Sequence, residues 1–192
     1  MYNKFQSIGS YMSSRHLLCV YHQGAYQIAQ FGVFDGYPGV VAAEVIDFLN
    51  QDKSIIKKFK SNLKNCCFLT EQELNNQTVF KKNPTRTNTA SNILSIITKN
   101  RDQPIYLKNS LYFAAESLYC EWLYVIDFDK NTFEIFKGFN EDPLHQDERF
   151  YNLTNSILAK KKQYPVKLAI AYGLENLPTL SDCLDYLNDD DE

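Results

Sequence analysis

The residues best able to do chemistry fall in two stretches of this sequence. The first is "AQFGVFDGYPGV", residues 29–40, where an apolar run breaks at Asp35-Gly36 and turns through Tyr37-Pro38. Asp35 admits three readings. Its carboxylate can accept backbone N–H bonds within its own turn, the usual reason for an Asp-Gly pair. It can stand at the positive end of a following helix. Or it can hold a substrate group, or act as a base, beside Tyr37. Tyr37 precedes a proline and must be extended, so its ring is held in a narrow range that suits a pocket wall and a core wedge equally.

The second stretch is "FAAESLYCEWLYV", residues 113–125, where Glu116, Ser117, Cys120 and Glu121 lie within six residues beside the single tryptophan. On a helix Glu116 and Cys120 would share a face. A cysteine nucleophile needs a base within hydrogen-bond reach, and His16, His22 and His145 are the histidines available by type. The plain alternative is a packed thiol and a glutamate that ends a helix. Arg15 and His16 open the first strand; Arg15 is expected to pair with Asp35 or Glu121 or to bind a ligand, and His16 to be a hydrogen-bonded histidine or a catalyst. Met12-Ser13 offers one more chemistry, that of an N-terminal nucleophile whose α-amine, with a pKa of about 8, activates its own side chain. Eleven residues precede Met12, which counts against it.

These side chains need elements to hold them. "RHLLCVYH" alternates like a strand, Gln23-Gly24 supplies a two-residue hairpin loop, and "AYQIAQFGVF" returns as the partner strand. Past the corner, Val41, Val45, Phe48 and Leu49 recur at helical spacing, with Pro38 in the first turn, where its missing N–H costs little. Helices are expected at 53–64, at 70–80 with a Thr70/Glu73 capping box, and at 89–99. A second hairpin, "EWLYVIDFD" with "TFEIFKGF", turns at Lys130-Asn131. A short helix at 150–160, a last strand in "YPVKLAIAYGL" and a terminal helix capped by Thr179 complete the pass. The pattern predicts one α+β domain over 14–187, with an N-terminal extension at 1–13 and an acidic tail at 188–192. Its sheet is expected to be antiparallel, built from the two hairpins and the C-terminal strand and covered by several helices.

Bulk properties narrow the chemistry. The chain has 192 residues, 44% hydrophobic and 14% aromatic, enough for a sizeable core. Seven glycines leave little for a glycine-rich phosphate loop, and a net charge of −3 provides no broad basic field, so nucleic acid is not expected as a partner. The run "KSIIKKFKSNLK" is basic and amphipathic; it reads as a helix with a solvated lysine face, or else as a surface for an acidic partner or membrane. No apolar run approaches the roughly 20 residues of a membrane span. Five cysteines, an odd number without a leader-like apolar segment, point to reduced thiols in a cytoplasmic or nuclear protein. Cys66 and Cys67 are adjacent, a spacing that suits neither chelation nor mutual bonding; no metal and no cofactor are expected.

"SSRHLLCVYHQGAYQIAQFGVFDGYP" together with "SLYCEWLYVIDFDKNTFEIFKGF" and "YPVKLAIAYGLENLP" resembles a family of uncharacterised proteins abundant in filamentous fungi, with shorter cousins in phages and bacteria. Its members carry Thr-Arg before the first strand, then Ala-Gln-Tyr-Gly-Gln-(Trp or Phe)-Asp-Gly-Tyr-Pro, and later Cys-Glu-Trp. Matching positions here are Arg15, Gln30, Asp35, Gly36, Tyr37, Cys120, Glu121 and Trp122. Departures are Ser14 for Thr, Val33 for Gln, and Val40 and Ala42 for the glycines of a Gly-x-Gly step. Residues 87–91 replace an Arg-Asp-Thr-Gly-Ala segment. The resemblance implies kinship of fold and brings no established activity. Taken with the weakened corner motif, the expected function is a non-enzymatic module that binds a small molecule or a protein partner through the 35–38 corner. The candidate binding residues are Arg15, His16, Gln30, Asp35, Tyr37, Glu116, Cys120 and Glu121. The alternative is a hydrolase, of N-terminal-nucleophile or cysteine type, degenerate in this member.

Overall fold

The structure, a computed structural model, describes residues 14–76 and 90–189. The expected extension at 1–13, the end of the expected 70–80 helix, residues 81–89 with the first position of the expected 89–99 helix, and residues 190–192 lie outside the described residues. Strand β1 (His16–His22) and strand β2 (Ala25–Gly32) pair antiparallel across Gln23 and Gly24, whose φ values of 54° and 78° are the left-handed geometry a tight two-residue hairpin needs. The 35–38 corner follows, then α1 (Pro38–Leu49), α2 (Lys53–Asn62), β3 (Cys66–Phe68) and α3 (Glu71–Asn75). Next come α4 (Asn92–Lys99), β4 (Ile105–Leu107), a 3-10 turn (Leu111–Ala115), β5 (Trp122–Asp127) and β6 (Thr132–Lys137). A second 3-10 turn (Tyr151–Leu153), α5 (Ser156–Ala159), β7 (Lys167–Gly173) and α6 (Leu180–Asp189) end the chain.

The five-stranded sheet has the order β2-β1-β5-β6-β7. It is mixed, which corrects the antiparallel sheet expected from the sequence: β1 and β5 run parallel, with His16 beside Trp122 and Tyr21 beside Asp127. Parallel neighbours need a long crossover: β2 brings the chain back to the end of the sheet where β1 begins, and residues 33–121 pass from there to the other side of β1 and enter β5 at that same end. Short β3 and β4, a separate parallel pair, lie within that crossover and were not expected. The acidic tail begins inside α6, which runs to Asp189.

Because successive strand side chains face opposite ways, β1 and β5 feed two cores. Leu18, Val20, Tyr124 and Ile126 meet Val41, Val45, Phe59, Ile93 and Ile97 of the helices on one face. Leu17, Cys19, Leu123 and Val125 meet Ala114, Leu144, Phe150 and Val166 of the irregular segments on the other. Helices cover one face and loops the other. The candidate site lies where β1 and β5 begin and β2 ends. No helix of the described residues is long and apolar enough to cross a membrane.

Candidate functional site

The corner forms because β2 ends in a backbone that must reverse within a few residues. Asp35 takes φ 51°, a left-handed conformation that Asp tolerates better than most residues. Tyr37 is extended (φ −75°, ψ 158°), as its proline requires, and its carbonyl accepts the N–H groups of Val40 and Val41 to open α1. No side chain caps that helix from Tyr37. The Tyr37 ring folds back over Gly39, where a Cβ would come within 3.3 Å of it. Ala42 is buried in the core.

His16 anchors the corner from beneath. It is fully buried, wedged between Gly32 and Gly36, where an added Cβ would overlap its ring. Its Nε2 accepts the Ala90 N–H at 3.3 Å, so the proton resides on Nδ1. Nδ1 is directed at the Ser14 carbonyl but falls short of a well-formed hydrogen bond; the Ser14 hydroxyl is likewise buried without a partner. Burial lowers the His16 pKa to about 4, opposed by the Ser14 carbonyl and the Asp35 charge. The imidazole is therefore neutral near pH 7, with its basic nitrogen already occupied. From β5, the Tyr124 hydroxyl donates to the Gly36 carbonyl at 2.8 Å and pins the turn to the sheet. Gln30, buried on β2 opposite Leu18, donates to the Phe31 carbonyl.

The second stretch meets the first at this end of the sheet but on the other face. Arg15 N donates to Glu121 Oε1 at 3.2 Å, Glu121 N donates back to the Arg15 carbonyl, and the guanidinium lies 4.9 Å from the Tyr119 ring centre. Of the two expected carboxylate partners, Arg15 takes Glu121, at 4.0 Å. Residues 116–120 form a turn, not the helix that would stack Glu116 on Cys120: the Glu116 carbonyl accepts the N–H groups of Tyr119 and Cys120. Cys120 is buried in the loop-side core, its Sγ 3.6 Å from the Trp122 carbonyl. Burial first, then the neighbouring Cys19, Glu121 and Glu116, raise its pKa well above the usual thiol value. A thiol held protonated in this way is a poor nucleophile.

Sequence reasoning missed Ser14, Ala90 and Tyr124 at the corner. Tyr124 had a signal, since it shares a strand face with Trp122. It also missed a charge cluster on the loop-covered face. Arg149 donates to Asp127 at 2.5 Å and to Glu134 at 2.6 and 2.8 Å, all three side chains at most 10% exposed. Burial alone would lower the Arg149 pKa; hydrogen bonds to Glu134, Asp127 and Tyr26 raise it above the usual value. The signal was two carboxylates, Asp127 and Glu134, inside otherwise apolar strands. Among the described residues no group of three or more His, Cys, Asp or Glu side chains could hold a metal ion. Comparison of the chain with protein-family profiles, curated proteins and solved structures finds no match.

Proposed function

We propose that this protein is a non-enzymatic binding module that engages a protein partner through the 35–38 corner. One observation carries the reading. Phe34 and Tyr37 are 45% and 42% exposed on either side of Asp35, on a turn that Tyr124, His16 and Pro38 hold rigid. Two preorganised aromatics flanking a carboxylate have the composition of an interface hot spot that takes a basic side chain. A non-glycine residue kept at positive φ in such a place is strain of the kind that collects at functional sites. The hydrolase alternative has less support, because His16 has no free basic nitrogen and Cys120 is buried and protonated; Ser13 lies outside the described residues. Kinship with the fungal family, whose matching residues gather at this end of the sheet, and a cytoplasmic or nuclear location belong to the same proposal.

Photo-crosslinking tests it. A benzoyl-phenylalanine at position 34 or 37, expressed in the cells of origin, should capture a discrete protein, and the same group at Tyr186 on α6 should not. Asp35→Gly should abolish capture while leaving the melting temperature equal or higher, since glycine relieves the left-handed strain. If Asp35→Gly keeps capture, or if the two corner positions capture nothing that Tyr186 does not, the corner is structural.

A further inference from the structure

On the helix-covered side a groove of about 560 Å³ opens between α2 and the 128–131 loop. Lys53, Lys57 and Lys60 line it, at positions i, i+4 and i+7 of α2. Its apolar wall is Leu49, Ile56, Leu174 and the half-buried ring of Phe128. That ring is fixed: it lies 6.1 Å from the Phe59 ring and 5.8 Å edge-on from His22, and its backbone N–H bonds to the Tyr21 carbonyl. The Lys60 ammonium sits 4.8 Å from the Phe128 ring centre. Among the described residues no carboxylate is within ion-pair distance of these three lysines, and Glu175 is the one acidic residue of the lining.

This arrangement is unfavourable for an isolated helix. Like charges four apart on one face repel, while the helix start itself is capped by the Asp52 carboxylate, which accepts the Ser54 N–H at 2.7 Å. An anion seated among the ammonium groups would relieve their repulsion. The groove has the volume of a small-molecule site, with an apolar floor and convergent polar groups. Asn50, Gln51 and Asn131 add amides at its rim.

We propose that this groove binds a phosphorylated small molecule of mononucleotide size. Its phosphate lies among Lys53, Lys57 and Lys60, and its planar part rests on Phe128 and Leu174. The site is separate from the corner and does not depend on the reading given there.

Titration calorimetry of the full chain at low salt, with AMP, ATP, adenosine and inorganic pyrophosphate as probes, tests it. AMP and ATP should bind, and adenosine should bind at least about tenfold more weakly. Lys53→Gln/Lys57→Gln, both exposed positions, should weaken AMP by roughly tenfold or more with an equal or higher melting temperature, since the lysine repulsion is removed. Phe128→Leu should remove the preference for AMP over pyrophosphate. The proposal is overturned if neither AMP nor ATP binds at millimolar concentration, or if the double glutamine variant binds AMP as well as the parent. It also fails if an oligo-dT strand or phosphatidylserine vesicles bind this face and the mononucleotides do not.

Discussion

Arg149→Met should destabilise the protein by about 3 kcal/mol. Arg149 reaches from the loop after β6 to two buried carboxylates, with side-chain exposures of 10% for Arg149, 1% for Asp127 and 8% for Glu134. Methionine keeps much of the packing volume and removes the charge, which strands both carboxylates against the loop-side core. Breaking one partner of a buried ion pair costs about 3–5 kcal/mol. The lower end applies here because each carboxylate keeps another partner. Asp127 Oδ1 accepts the N–H groups of Asp129 and Lys130 at 2.9 and 2.8 Å, and Glu134 Oε1 accepts the Thr132 hydroxyl at 2.9 Å. For a chain of this length 3 kcal/mol corresponds to a fall in Tm of about 6–12 °C. Urea unfolding at pH 7 and pH 4.5 is the assay. The midpoint should drop with an unchanged m-value, and the deficit should shrink at pH 4.5 as the stranded carboxylates take up protons. The triple change R149M/D127N/E134Q should recover most of the loss, because no buried charge remains. A deficit below about 1 kcal/mol, or a triple variant no more stable than R149M, would refute the account of a desolvated cation serving two carboxylates.

Other consequences follow from the corner and the thiols. His16 is neutral in the fold with a pKa near 4, whereas unfolded it titrates near 6.5. The unfolded chain therefore binds the extra proton between these values, and stability should fall by about 3 kcal/mol as pH drops from 6.5 to 4. His16→Gln, whose amide oxygen still accepts the Ala90 N–H, should flatten that part of the urea-midpoint profile; an unchanged slope would assign the acid sensitivity elsewhere. Tyr124→Phe removes a side-chain hydroxyl that bonds the Gly36 carbonyl, and should cost about 1–2 kcal/mol in thermal unfolding while speeding amide exchange in the 35–38 segment. Iodoacetamide at pH 7.5 should label the exposed Cys67 first. Cys19 and Cys120, buried with raised pKa values, should react only after denaturation. Peptide mass spectrometry reads this directly, and rapid labelling of Cys120 would restore it as a nucleophile.

Local physics wrote much of this fold into the sequence. The first hairpin follows from two short strand-forming runs joined by a Gln-Gly turn, α1 from apolar spacing behind Pro38, and the α3 start from a Thr70/Glu73 box that forms as expected. In each case the deciding contacts lie within about ten residues, where periodicity and turn chemistry act alone. The crossover direction of β5 was not legible, because strand direction across the 89 residues from 33 to 121 is chosen by which faces the helices bury. The same holds for the two core faces of β1, since a continuous apolar run shows that both faces are buried and not what covers each. At the corner the sequence marked Asp35 and Tyr37, yet only packing brought His16 between two glycines, closed Tyr124 onto Gly36 and gave the basic nitrogen of His16 to Ala90. Arg149 is the clearest case. From sequence it is one polar residue in an acidic loop; tertiary structure makes it the counter-ion of Asp127 and Glu134, because two carboxylates on a buried strand face must find a cation or stay out of the core.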